Sequence, residues 1–298
     1  MKSEFQSGGD RILRGHKGWV SAVAFSPDGK NIATGGDDGS LIIWELQSGK
    51  QLFKITDHKG GLSSISYRFD GKQLITGSWD RTLKLRDSKG KCLRTFSGHK
   101  ENITAVRFSP DGKQIASGSG DDTLRVWRSD SGKLLYKRSH GNEYDISAIA
   151  YSPDGKKLVT ADGDSIIKLW QASDGSPIST LLGHKGAIYS VAFSPNGKQI
   201  VSADGEKEIK IWDVESATAT KTLTGHEDNV TVVLFSSDGT RIYSGSDDRT
   251  IRIWNATTAK TLKVIRGIED EITSMSISNG DKHLAAATNG ATHLWNLK

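Results

Sequence analysis

The chain has 298 residues, with 40 Lys and Arg against 35 Asp and Glu and a formal net charge of +5. No run of about eighteen apolar residues is present, so no helix is expected to span a membrane, and the opening MKSEFQSGGD lacks the apolar stretch of a secretion signal. Charge this evenly mixed permits nucleic-acid binding without indicating it, while a single cysteine, Cys92, excludes an intrachain disulfide and fits a reducing, cytoplasmic setting.

Along the chain, residues 1–9 read as a polar leader or expression remnant and residues 10–298 as a single repeat domain. RILRG (11–15) reads as a short strand, and after it the chain repeats itself. Trp44, Trp127, Trp170, Trp212, Trp254 and Trp295 each close a segment of alternating apolar residues, at gaps of 83, 43, 42, 42 and 41. The first gap is twice the others, and Arg86 stands at its midpoint. Four of the five prolines (Pro27, Pro110, Pro153 and Pro195) lie in Ser-Pro-(Asp/Asn)-Gly. Seven units of about 42 residues account for nearly the whole chain.

Within a unit the order is constant. In the sixth, VTVVLF (230–235) reads as a strand and SSDG as a turn whose Gly suits the positive-φ position. RIYSGS (241–246) follows as a second strand, DDRT as a tight turn and IRIW (251–254) as a third strand. A short run such as QLFKIT (51–56) or LKVIRG (262–267) makes a fourth. No helical period is visible. The expected fold class is all-β. Four short strands cannot bury both faces of their sheet alone; packing sheets side by side in a ring buries them, and closing the ring protects the edges.

Gly-His at 15–16, 98–99, 183–184 and 225–226, each with a Trp about 28 residues later, resembles the WD-repeat (WD40-type) β-propeller over roughly residues 10–298. The resemblance implies a seven-bladed β-propeller of four-stranded antiparallel blades. It also implies closure by the N-terminal strand, with residues 11–15 beside 292–297 completing the last blade. The near-identical FSPDGK turns look like those of bacterial WD-repeat proteins.

A His, a hydroxyl, a carboxylate and a Trp recur at fixed phase. They are His16, Thr34, Asp38 and Trp44; His99, Ser117, Asp121 and Trp127; His140, Thr160, Asp164 and Trp170; and His226, Ser244, Asp248 and Trp254. A catalytic triad is needed once, at one cleft with an oxyanion site. A quartet that returns in unit after unit is architecture, so no enzymatic activity and no catalytic residue are expected. The resemblance implies the geometry: Asp accepts from His, His meets the hydroxyl, and the hydroxyl meets the indole N–H. Unit five has Glu206 at the carboxylate position. Unit two keeps His58, Thr76 and Asp80 but has Arg86 for Trp, with Asp80 or Asp57 as its candidate partner. Unit seven has Ile268, Ala285 and Asn289 in place of the polar three and keeps only Trp295. The repeat histidines lie 41–44 residues apart, on different blades, and cannot converge on a metal ion. No metal and no cofactor are expected.

The resemblance places the Gly-His loops and the turn carboxylates around one end of the channel, the top. Side chains that break the rhythm there are the binding candidates. Trp79 stands just before the turn Asp, where other units have Asp37, Gly120, Gly163, Gly205, Asp247 and Thr288. Trp19 follows His16 by three residues, and Tyr144 and Tyr189 occupy comparable loops. Asp37, Asp247, Glu269, Asp270 and Glu271 form an acidic arc suited to a Lys- or Arg-bearing peptide. At the opposite end, Lys30, Lys72, Lys113, Lys156, Lys157 and Lys198, joined by Lys50 and Lys133, would form a basic collar. The expectation is a monomeric, non-enzymatic scaffold that captures a protein or peptide on its top face. The alternative is a sensor or regulatory module cut from a larger signalling protein, such as a kinase or NTPase.

Overall fold

The computed structural model describes residues 10–141 and 144–297; the leader expected over residues 1–9 lies outside the described residues. All regular structure is β. The first repeat gives β1 (Arg11–Phe25), β2 (Asn31–Gly36), β3 (Leu41–Glu45) and β4 (Gln51–Ile55). The second gives β5 (Leu62–Tyr67), β6 (Gln73–Ser78), β7 (Leu83–Asp87) and β8 (Cys92–Phe96). The third gives β9 (Ile103–Phe108), β10 (Gln114–Ser119), β11 (Thr123–Arg128) and β12 (Leu134–Ser139). The fourth gives β13 (Ile146–Tyr151), β14 (Lys157–Asp162), β15 (Ile167–Gln171) and β16 (Pro177–Leu181). The fifth gives β17 (Ile188–Phe193), β18 (Gln199–Asp204), β19 (Ile209–Asp213) and β20 (Thr218–Leu223). The sixth gives β21 (Val230–Phe235), β22 (Arg241–Ser246), β23 (Ile251–Asn255) and β24 (Thr261–Ile265), and the seventh β25 (Ser274–Ile277), β26 (His283–Ala287) and β27 (Asn289–Asn296).

Strands join as antiparallel meanders: five four-stranded sheets and one seven-stranded sheet, ordered β25-β26-β27-β1-β2-β3-β4. The larger sheet exists because β1 pairs twice. Its first half runs against β27, with Arg11 opposite Leu294 and Arg14 opposite Ala291; its second half, Val20–Phe25, runs against β2. The ladder is interrupted between Arg14 and Trp19, where Gly15, His16 and Gly18 fall. Asp10 N–H donates to Leu294 O at 2.7 Å and Asn296 N–H to Asp10 Oδ2 at 2.7 Å, tying the two ends of the described chain together. First strands of successive sheets pack on one another in order, β1 on β5, β5 on β9, β9 on β13, β13 on β17, β17 on β21 and β21 on β25, and β25 packs back on β1.

The apolar core lies between sheets. Ile75, Leu83, Leu85 and Phe96 of the second repeat pack on Ile103, Val106, Phe108, Ile115 and Trp127 of the third. Second strands such as β6 and β10 are buried on both faces for five consecutive residues, and small residues let the next sheet approach. A Cβ at Gly77 would stand 2.6 Å from Ile103 Cγ2, and one at Gly118 2.6 Å from Ile146 Cγ2. These two positions therefore require Gly, and the matching positions of β14 and β18 hold the next smallest residue, Ala161 and Ala203.

Hydroxyls at the start of five of the first strands link one repeat to the next. Ser63 donates to Ile103 O, Thr104 to Ile146 O, Ser147 to Ile188 O, Thr231 to Ile272 O and Thr273 to Val20 O. The fifth repeat has Tyr189 at this position instead. Removing residues 1–15 takes away the four-residue ladder on β27 and the buried Leu13. That loss of several kcal/mol is expected to lower the melting temperature by about 10 °C in scanning calorimetry; an unchanged transition would show that this pairing does not hold the fold.

Candidate functional site

The polar quartets come first, because they fix the loops that carry everything else. In five repeats a buried indole N–H donates to a hydroxyl in the neighbouring strand. Trp44 reaches Thr34 at 2.8 Å, Trp127 Ser117 at 3.0 Å, Trp170 Thr160 at 2.8 Å, Trp212 Ser202 at 2.7 Å and Trp254 Ser244 at 2.8 Å. The same oxygens lie 2.6–2.8 Å from Nε2 of His16, His99, His140, His184 and His226. An indole only donates and an ionised carboxylate only accepts. The protons therefore order themselves: the hydroxyl accepts from Trp and donates to a neutral His Nε2, and His Nδ1–H faces the carboxylate. Burial is the strongest influence on His16 and His99 and holds both below their ordinary pKa despite the nearby Asp.

Asp38, Asp121 and Asp248 stand 3.1, 3.0 and 2.7 Å from their histidines. Each also accepts from a loop N–H, of Lys17, Lys100 and Glu227 respectively, and from a hydroxyl two residues on, of Ser40, Thr123 and Thr250. Burial pushes these carboxyls up, but the accepted hydrogen bonds together outweigh it and hold all three well below the usual carboxylate range.

Two of the expected carboxylates are wrong. Asp164 is exposed and does not meet His140; Asp162 Oδ2, at the end of β14, stands 2.7 Å from His140 Nδ1. In the fifth repeat Asp204, not Glu206, faces His184 at 2.7 Å. The cause is the residue two positions after the turn carboxylate. Where it is Ser40, Thr123 or Thr250 it donates to that carboxylate; here it is Ile166 or Glu208, which has no hydroxyl to give. The carboxylate instead sits two residues earlier and closes the turn from there. Asp162 Oδ1 accepts from the N–H of Asp164 and Ile166 at 3.0 and 2.9 Å, and Asp204 Oδ1 from Glu206 and Glu208 at 3.0 and 2.9 Å. His184, Asp204 and Glu208 bring ligand atoms within 4.8 Å of one another. His184 and Asp204 are engaged with each other, however, and Glu208 pairs with Lys210 at 2.9 Å.

The second repeat solves the loss of Trp with charge. Arg86 is 1% exposed, and its guanidinium forks onto Asp57, Nη1 to Oδ2 at 3.0 Å and Nη2 to Oδ1 at 2.5 Å. Asp80 stays with His58 at 2.8 Å. In the seventh repeat Trp295 is fully buried, and the register sets Ala286, not the expected Ala285, at the hydroxyl position, so its indole N–H has no acceptor among the described residues. Ile268, Ile272 and Met275 pack around it instead.

At the top, Trp79 is 45% exposed and its ring rests on Gly61. A Cβ there would lie 2.7 Å from Trp79 Cε3 and 3.0 Å from Asp37 Cα, so Trp79 and Asp37 share one glycine shelf. Asp37 N–H donates to Trp19 O at 3.0 Å, and Asp37 Oδ1 is buried without a partner among the described residues. Trp19, Asp37 and Trp79 are thus contiguous. Tyr189, half-exposed, approaches Gly205 beside Asn229, and Asn229 Nδ2 donates to Asp247 Oδ2 at 3.0 Å. Burial, then the charges of Glu271, Asp228 and Asp248, push the Asp247 carboxyl up. Tyr144 stands apart over Gly163, and Glu269 and Asp270 lie on the rim without joining either cluster. At the other end four of the eight collar lysines stand beside a turn carboxylate. Lys30, Lys72, Lys113 and Lys156 each follow an Asp by two residues, and each of those carboxylates accepts the N–H of its Lys at 3.0 Å.

Two outcomes follow. Asp162→Ala strands a buried imidazole and is expected to cost about 3 kcal/mol in urea denaturation, against about 0.5 kcal/mol or less for Asp164→Ala; equal costs would reverse the assignment. Acid is expected to destabilise in two stages. His16, His58 and His99 have folded pKa values below the ordinary 6.5, so the unfolded chain binds more protons below that pH and stability drops as pH falls past 6.5. Asp38, Asp121 and Asp248, depressed from 3.8, add a second loss as pH falls below that value. Melting temperatures flat from pH 7.5 to 5 would contradict neutral buried histidines.

Comparison with known proteins agrees with this periodicity. The family described as WD domain, G-beta repeat matches residues 10–45, 49–87, 90–128, 132–171, 175–213 and 217–255. A 43-residue stretch is 54% identical to Small ribosomal subunit protein RACK1y of Oryza sativa subsp. japonica, covering 14% of this chain and 13% of that protein. Over 44 residues the chain is 50% identical to Ribosome biogenesis protein erb1 of Aspergillus niger, covering 15% of this chain and 6% of that one. It is 51% identical over 43 residues to Small ribosomal subunit protein RACK1z of Arabidopsis thaliana, covering 14% and 13%. The match to each relative therefore spans a small fraction of the relative's length. The family match ends at residue 255, just after the last complete quartet, and the repeat whose indole has no acceptor lies beyond it. With six repeats matched across most of its length, the chain belongs to the WD40-repeat family.

Proposed function

We propose that the chain is a closed seven-bladed propeller and a non-enzymatic scaffold. Its top face takes an extended protein segment carrying a Lys or Arg side chain. The observation that carries this reading is the Trp79–Asp37–Trp19 cluster: a half-exposed indole shares the Gly61 shelf with the backbone of Asp37, whose Oδ1 is buried without a partner among the described residues. A cation seated there gains the indole face and the carboxylate together. Asp247, with Glu271 nearby, offers a second anionic contact, and Tyr189, next to Asn229, an apolar one. Closure rests on the double pairing of β1 and on the return contact of β25 with β1. Family membership supports a scaffold. RACK1y, by its name a protein of the small ribosomal subunit, is a relative that works within a larger assembly.

Affinity purification with the wild type and with Trp19→Ala/Trp79→Ala tests the surface. Partners are expected to be retained by the wild type and lost from the double variant. A Lys- or Arg-bearing peptide from such a partner should weaken about tenfold or more on Trp79→Ala while the melting temperature stays within a few degrees. Equal recovery by both proteins would exclude this face.

A further inference from the structure

A cavity runs between the first strands of the sheets. Its upper part, about 150 Å³, is lined by residues of β1, β5, β9, β13, β17, β21 and β25; its lower mouth, about 500 Å³, opens among the Ser-Pro turns near Pro27 and Pro195. Arg107 of β9 lines both parts and is the one charged side chain among the described residues that line either. At the matching register of the other first strands stand Ala24, Ser66, Ala150, Ala192, Leu234 and Ser276. One cation therefore stands in a layer of otherwise small or neutral side chains.

The guanidinium is pinned on one nitrogen. Arg107 Nη1 donates to Ser64 Oγ at 3.1 Å and to Val106 O at 2.8 Å. Its Nε–H and Nη2 hydrogens meet no acceptor, and no carboxylate comes within ion-pair distance, among the described residues. Arg107 is solvent-exposed within the cavity, and its guanidinium stays charged at any physiological pH. Two hydroxyls share its layer. Ser66 Oγ accepts from Phe108 N–H at 3.2 Å and Ser276 Oγ from Phe25 N–H at 3.3 Å; the hydrogen of each hydroxyl has no acceptor among the described residues. The layer presents donors and a positive charge with nothing to receive them.

We propose that this layer of the channel binds a small tetrahedral oxyanion of the phosphate class. It is held side-on by the Nε–H and Nη2–H edge of Arg107, completed by the Ser66 and Ser276 hydroxyls, and entered from the lower mouth. The edge of a guanidinium matches two oxygens of such an anion. Ser66, Arg107 and Ser276 all line the lower mouth, whose volume of about 500 Å³ leaves room for a small anion and its water. Low-dielectric walls focus the field of a lone charge along the channel, and of the turn lysines at the rim Lys30, Lys72, Lys113 and Lys156 each have an aspartate two residues before them. This site is separate from the top face and does not depend on its proposed partner.

Inorganic phosphate titrated into the full chain, at constant ionic strength with chloride as the balancing salt, tests the proposal by calorimetry and thermal shift. The wild type is expected to bind and to melt at higher temperature as phosphate rises. Arg107→Ala, which puts at this position the residue found in three other first strands, is expected to fold and to lose affinity about tenfold or more. Ser66→Ala/Ser276→Ala should weaken binding severalfold, and Trp19→Ala/Trp79→Ala should leave it unchanged. No phosphate response in the wild type, or an equal response in Arg107→Ala, would overturn the site. So would Arg107-dependent binding of a Glu-rich peptide that phosphate does not displace.

Discussion

A tryptophan buried in a sheet brings one N–H that must find an acceptor. Here a Ser or Thr on the adjacent strand supplies it, a histidine from the loop before the sheet takes the hydroxyl proton, and a carboxylate holds the other side of the ring. Four segments far apart in sequence are tied by bonds worth about 1 kcal/mol each, more where a carboxylate accepts. The chain of donors has a single consistent direction, so every member depends on the next. Because the histidine sits in the top loop and the carboxylate in or beside the top turn, the network that stabilises the sheet also holds the loops that display Trp19, Asp37 and Trp79.

The period was legible because one indole falls in nearly every sheet at the same phase. The partner of His140 was less so. ADGD offers two carboxylates separated by a glycine, and position alone favours the second. Ile166 carried the missing signal, since a turn carboxylate without a hydroxyl two residues on lacks one of its donors. Arg86 was visible as an anomaly, and the structure chose Asp57 over Asp80 because Asp80 already holds His58. Trp79 was likewise visible as an exception, but its ring rests on the Gly61 shelf beneath it, which belongs to the loop before β5. Arg107 left no sequence signal. In AVRF it reads as the outward residue of an alternating strand, and only the packing of the first strands shows that the side it faces is a cavity. Within the basic collar, Lys30, Lys72, Lys113 and Lys156 each come two residues after an aspartate, whereas Lys50, Lys133, Lys157 and Lys198 do not.

The top face and the channel carry opposite chemistry. Aromatic rings and carboxylates crowd the rim, whereas the channel holds a cation and hydroxyls. Between them runs the line of Ser and Thr side chains that links each sheet to the next. Tyr189 breaks this line, and the junction of the fifth and sixth repeats is held lower down, where Val233 N–H donates to Ser190 Oγ at 3.1 Å. An anchor at the rim thus replaces one link of the line.

Repeats this alike invite confusion while the chain is still finding its partners, since a third strand fits geometrically into more than one meander. The irregular repeats act as addresses. A chain threaded one sheet out of step would maroon the Arg86 charge away from Asp57 and set Ile268 against a hydroxyl that needs an imidazole. Sheet identity is thereby written into the very positions where the repeat is broken, and correct order is enforced by the penalty on every other.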